Sequence, residues 1–199
     1  MCRSDPPQWS MRCSAAAWLL AASLLGACAP SALQRPQSAT LPPVQDAFEA
    51  AGRLSARHGA DALAANFEWR HTAESDELEL SSPLGQIVAM LTGDRTGTRL
   101  RTSDGRVLAA DSWMKLTGEG LGWPLPVDGL EYWIQGAARA DAPFTAEPDA
   151  QGRVAVLRQD GWTIVYQAYS RTSGDVWRPT RMTATYPDVE IRLAIDRWE

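Results

Sequence analysis

The one side chain in this sequence whose neighbours equip it for covalent chemistry is Cys28. It closes the run Leu25-Gly26-Ala27-Cys28 at the end of a thirteen-residue apolar segment, Ala15 to Ala27, that follows Arg12. Such a segment is too short to span the roughly 30 Å apolar core of a bilayer and has the length of an export signal's hydrophobic region. A leucine, two small residues that fit a signal peptidase and a cysteine look like a bacterial lipobox, in which the thiol takes a diacylglyceryl group and the leader is cleaved in front of it. Met11-Arg12 makes a better start than Met1, because it sets a positive charge directly before the apolar run, whereas Asp5, Pro6 and Pro7 have no part in export. Once Cys28 is acylated, Cys2 and Cys13 leave with residues 1–27 and no disulfide is left to form. At about 0.8 kcal/mol per buried methylene, several acyl chains make the anchor permanent. Lipoproteins held in the inner membrane commonly carry Asp after the cysteine; Ala29 stands there instead, which points to the outer membrane.

A second residue invites physical rather than covalent chemistry. Ser82-Pro83-Leu84-Gly85 reads as a tight connection, with proline setting φ at one corner and glycine free to take positive φ at another, yet a bare leucine occupies its tip. Leu84 either folds back onto its own hairpin or probes a lipid surface. Catalytic patterns are missing. His58 and His71 have no Cys, second His or Glu-x-x-His spacing beside them, and neither a Gly-x-Ser-x-Gly elbow nor a phosphate loop occurs. Gly118-Glu119-Gly120-Leu121-Gly122 only mimics a dinucleotide turn, since Trp123 stands where the third glycine would fall and the strand-helix order is wrong. We therefore expect no enzyme, no metal and no cofactor.

The elements that must position these residues follow from composition and periodicity. Residues 28–43 hold four prolines with Ser, Gln and Thr and no apolar periodicity, the composition of a flexible tether. One domain, 44–199, remains, long enough to bury about two thirds of its unfolded surface without a disulfide. Losing Arg3, Arg12 and Asp5 with the leader, a net +1, takes the formal charge from −5 to −6, so nucleic acid is excluded as a partner and a monomer is expected. Val44, Ala47, Phe48 and Ala51 share helical spacing, ended by Gly52. Strand periods then run through 52–58, 62–70, 77–81, 87–91, 97–102 and 106–110, the last two flanking Asp104-Gly105 as a two-residue hairpin. Asp111 or Ser112 caps a short helix closed by Gly118, and Asp128 caps a second, with Leu130, Trp133 and Ile134, stopped at Gly136. Strands resume at 154–157, 162–169, 181–186 and 190–198, with Asp160-Gly161 as a turn. The fold class is mainly β: an incomplete, half-open antiparallel barrel of about ten or eleven strands with short helices plugging an apolar cavity.

Phe48 to Gly52-Arg53, Phe67 and Trp69, Ser82-Pro83-Leu84-Gly85, the run from Gly122 to Trp133, Gly136, Gly161-Trp162 to Tyr166 and Arg192-Leu193 to Trp198 occur in an order that resembles the outer-membrane lipoprotein LolB family, over nearly all of 47–198. The resemblance implies a receptor that takes lipoproteins from the soluble periplasmic carrier LolA and places them in the outer membrane. It implies acyl chains bound in an apolar cavity under a helical lid, outer-membrane phospholipid as the destination, and insertion by an exposed leucine, here Leu84. LolA shares the fold but has no lipobox, so Cys28 separates the two. For the cavity lining the candidates are Phe67, Trp69, Leu78, Leu80, Leu130, Trp133, Ile134, Trp162 and Tyr166, although a packed core asks for the same pattern. A lipoprotein for another lipophilic ligand, and a passive envelope scaffold, are the alternatives.

Overall fold

Alternating side chains become eleven antiparallel strands in the computed structural model, which describes residues 38–122, 125–172 and 174–199. Cys28, the leader, residues 28–37 of the expected tether, and Trp123-Pro124 lie outside the described residues. The strands β1 (Phe48–His58), β2 (Asp61–His71), β3 (Ser75–Ser81), β4 (Ile87–Asp94), β5 (Gly97–Thr102) and β6 (Val107–Ala110) form one meander, followed by helices α1 (Trp113–Leu121) and α2 (Val127–Trp133). A second meander comprises β7 (Phe144–Pro148), β8 (Val154–Gln159), β9 (Trp162–Arg171), β10 (Trp177–Tyr186) and β11 (Val189–Trp198). They join where β1 pairs with β11, Leu54 opposite Leu193, to give a single sheet in the order β6-β5-β4-β3-β2-β1-β11-β10-β9-β8-β7. The edges β6 and β7 each have one neighbour, so the barrel stays open, and the two helices connect those edges in the chain. One face of every long strand is apolar and buried: Leu54 and Ala56, Phe67 and Trp69, Leu78 and Leu80, Ile164 and Tyr166, Met182 and Ala184, Ile191 and Leu193. Each such large side chain contributes roughly 1.5–3 kcal/mol by leaving water.

The sheet bends at its seam. A register shift between Ala51 and Gly52 leaves Gly52 against β11, where a Cβ would overlap the Ala194 carbonyl, so only glycine fits the bulge. Of the expected turns, Asp160 (φ 53) and Gly161 (φ 79) form the two-residue type that requires positive φ at both positions. Asp104-Gly105 is different: Thr102 N donates to Arg106 O and only Gly105 (φ 85) is left-handed, so three residues, 103–105, make a turn with a glycine bulge.

Several expected elements are corrected. No helix runs from Val44 to Ala51; Phe48 and Ala50 are core residues of β1, because pairing with β2 and β11 on both sides satisfies the backbone that a helix would otherwise have served. Helix α1 passes Gly118 and is capped by Gly122 (φ 84), since Gly120 lets the helix approach Leu100 of β5. Ser112 is its N-cap, accepting from Lys115 N at 3.4 Å. Helix α2 begins after Pro126 without a side-chain cap, placing Asp128 in its first turn rather than at its cap. Strand β7 was not anticipated. The chain also lies along the domain before residue 44: Thr40 N donates to Gly152 O at 2.9 Å, and Ala39 and Leu41 pack against the core.

Candidate functional site

Three features combine on this scaffold, and the first is the loop between β3 and β4. Ser82 N donates to Gln86 O and Gly85 N to Ser82 O, each at 2.8 Å, so Pro83-Leu84-Gly85 is a three-residue turn with Gly85 (φ 82) in the left-handed position. Ser82 Oγ accepts from Gln86 N, and Asn66 Nδ2 on β2 donates to Ser82 O at 3.1 Å, fastening the loop to the neighbouring strand. Leu84 projects from this braced tip with 91 % of its surface in water, against 55 % for Met114 and 53 % for Val107, the next most exposed large apolar residues among those described. It does not fold back onto its hairpin.

The second feature is the roof of the barrel. All nine residues proposed for the cavity lining are buried, and the structure sorts them. Trp133 and Ile134 are wholly inaccessible; the indole Nε1 of Trp133 donates to Gln159 Oε1 at 3.0 Å, and Tyr166 Oη donates to the Trp133 carbonyl at 2.8 Å. Helix α2 is thereby seated on β8 and β9. Beside it opens a cleft of about 320 Å³, walled by Met114, Trp162, Tyr186 and Val189 together with the charged Asp128, Arg139 and Asp160, with Trp162 stacked on Tyr186 at 5.2 Å between centroids. Trp162 thus borders the opening, while Phe67, Leu78, Leu80, Leu130, Trp133, Ile134 and Tyr166 belong to the packed cluster of the helices and the sheet beneath them; Trp69 belongs there too, with its indole Nε1 donating to Asp76. A volume near 320 Å³ lies at the low end of the roughly 300–1,000 Å³ that enclose a drug-sized ligand. Several acyl chains would require the helices to move apart from the sheet.

A polar latch, which the sequence reading missed, ties α2 to the rim. His71 Nδ1 at the end of β2 meets Asp76 Oδ1 of β3 at 2.8 Å, the same oxygen accepts from Trp69 Nε1 at 2.8 Å, and Glu131 Oε2 of α2 lies 3.8 Å from the His71 ring nitrogen. Burial pulls the His71 value down, but the hydrogen bond and charge of Asp76 outweigh it and hold the imidazole above its ordinary range. Burial pushes Glu131 and Asp128 up. One oxygen or ring nitrogen from each of His71, Asp76 and Glu131 lies within 4.8 Å of the other two, and Asp76 Oδ1 is engaged by both Trp69 and His71. The only sequence signal for it was His71 itself, since its partners come from other elements. Arg178 was missed as well: it is buried under the end of the roof, donating from Nη1 to Gln135 O at 3.2 Å, while its Nε and Nη2 have no hydrogen-bond partner among the described residues and burial lowers its pKa.

Comparison with known proteins bears on this arrangement. Residues 46–198 match the model of the family described as Outer membrane lipoprotein LolB. The chain is 38% identical over 153 residues to the outer-membrane lipoprotein LolB of Nitrosomonas europaea, covering 76% of this chain and 72% of the relative. It is 38% identical over 180 residues to that of Azoarcus sp. strain BH72, covering 90% and 92%. Among solved structures, an outer membrane lipoprotein-sorting protein domain from Vibrio parahaemolyticus superposes with a TM-score of 0.50 at 10% identity, covering 77% of this chain and 84% of that one, which is a likeness of fold.

Proposed function

The chain belongs to the LolB family of outer membrane lipoproteins, receptors rather than enzymes, and from that premise we propose that it accepts lipoproteins from the periplasmic carrier LolA and inserts them into the outer membrane. Cys28 carries the acyl anchor, which holds the domain on the periplasmic face of that membrane. The acyl chains of the cargo enter under α1 and α2, with Trp162 at the opening and Phe67, Trp69, Leu78, Leu80, Leu130, Trp133, Ile134 and Tyr166 exposed to them as the roof lifts. Leu84 then leads the protein into the bilayer interface. The direction of transfer requires no energy source: cargo moves from the carrier to a surface that binds it better, and from there to lipid that binds it better still.

The observation that carries this reading is Leu84, an apolar side chain 91 % exposed on a braced turn, which entry into a lipid interface uses and which ligand binding or envelope spacing does not require. Anchor and transfer are separable in this scheme. Cys28→Ala, released from the membrane, is expected to fold and to take lipoprotein from loaded LolA; a folded Cys28→Ala protein that takes none overturns the receptor reading.

A further inference from the structure

The face of the sheet opposite the core carries a feature that the transfer scheme does not use. Arg53 of β1 and Arg181 of β10 both stand opposite Ala194 of β11, one on each side, and Arg192 of β11 stands two residues away, opposite Ser55 and Thr183. With strands about 4.8 Å apart, three arginines on adjacent strands are rooted around one alanine on the solvent side. They line a groove of about 510 Å³, floored by Ala64 and Ala194, that reaches Pro83, the residue before Leu84. Among the described residues no Asp or Glu lines it, a local reversal in a chain of formal charge −5. Asn66 stands in the same row, opposite Arg53, and its side chain holds the Leu84 loop through Ser82 O, so loop and groove share one rigid frame.

The present partners of these arginines are exchangeable. Among the described residues Arg181 has no ion-pair partner. Arg53 meets Asp196 at 3.4 Å and Arg192 meets Glu190 at 2.9 Å, pairs lying largely in solvent and worth about 0–1 kcal/mol. Guanidinium forks bind phosphate oxygens two at a time, and the arginine stems with the two alanines provide the apolar lining that the glycerol side of a lipid requires. We propose that this groove is a binding site for the phosphate of an anionic phospholipid headgroup, engaged as Leu84 enters the same bilayer. The proposal rests on the membrane-entry role of Leu84 given above; what it adds is a preference for negatively charged lipid and the residues that set it.

The test uses the chain carrying Cys28→Ala, so that acylation does not fix its association, and vesicles of phosphatidylcholine with or without phosphatidylglycerol. Phosphatidylglycerol is expected to strengthen partitioning by about fivefold for each arginine engaged, an increment suppressed at high salt. Combining Arg53→Gln, Arg181→Gln and Arg192→Gln should abolish that increment and leave binding to pure phosphatidylcholine unchanged. The control combines Arg99→Gln, Arg101→Gln and Arg106→Gln, which removes equal charge near the β6 edge and should keep the increment. Equal loss in both triple variants, or no increment in the parent, overturns the site. Leu84→Glu separates the two ideas: it should weaken binding to pure phosphatidylcholine, and if it does not, the insertion reading fails while the phosphatidylglycerol increment still decides the groove.

Discussion

Replacing Leu84 by glutamate sets the cost of losing membrane entry against the cost of losing structure. In the folded protein the side chain is 91 % exposed, so nearly all of its transfer free energy is still available, about 1.5–3 kcal/mol for a leucine leaving water. Losing that gain alone weakens entry by roughly ten- to a hundredfold, at about 1.4 kcal/mol per factor of ten. A carboxylate adds a penalty of its own at the apolar boundary. The turn itself is held by Ser82 N to Gln86 O, Gly85 N to Ser82 O and Asn66 Nδ2 to Ser82 O, none of which involves the Leu84 side chain. Stability should therefore stay within about 0.5 kcal/mol of the parent. In a two-step assay, loading from the carrier followed by transfer to liposomes, Leu84→Glu should load at the parental rate and deliver tens of times more slowly, with an unchanged melting temperature. Parental delivery would show that the loop is not the insertion device. A much earlier melt would show that Leu84 supports the fold.

Two further substitutions probe the latch and the seam. His71 is held above its ordinary pKa, so its stabilisation is complete below about pH 6.5 and disappears as pH rises through the raised folded value. Glu131 and Asp128, also raised, likewise lose their stabilisation as pH climbs from the ordinary carboxylate range through their raised folded values. Denaturant midpoints should fall from about pH 6 to pH 8 in the parent and fall less in His71→Gln; identical slopes would remove His71 from the account. Gly52→Ala drives a methyl group into the Ala194 carbonyl at the β1–β11 bulge and should cost about 3 kcal/mol in a urea melt; a loss under about 0.5 kcal/mol would mean that the seam opens freely.

Some of this molecule is legible one strand at a time. Leu63, Ala65, Phe67 and Trp69, or Trp162, Ile164 and Tyr166, declare their buried face because a strand alternates sides whatever its partner. Asp160-Gly161 declares its turn because positive φ at two successive residues excludes most side chains. Leu84 was suspect from its neighbours alone, since a proline and a glycine around it fix a tip where apolar residues do not belong. Other features have no local trace. Val44, Ala47, Phe48 and Ala51 fit a helical stripe as well as Phe48 and Ala50 fit a strand, and only hydrogen bonds to β2 and β11, the latter about 140 residues away, decide between them. The latch joins His71 and Asp76 to Glu131, and the arginine groove joins Arg53 to Arg181 and Arg192, across sequence distances at which no pattern is visible. Periodicity reports which side of an element is dry; which elements meet depends on the register and curvature of the whole sheet, and those are set by packing among distant residues.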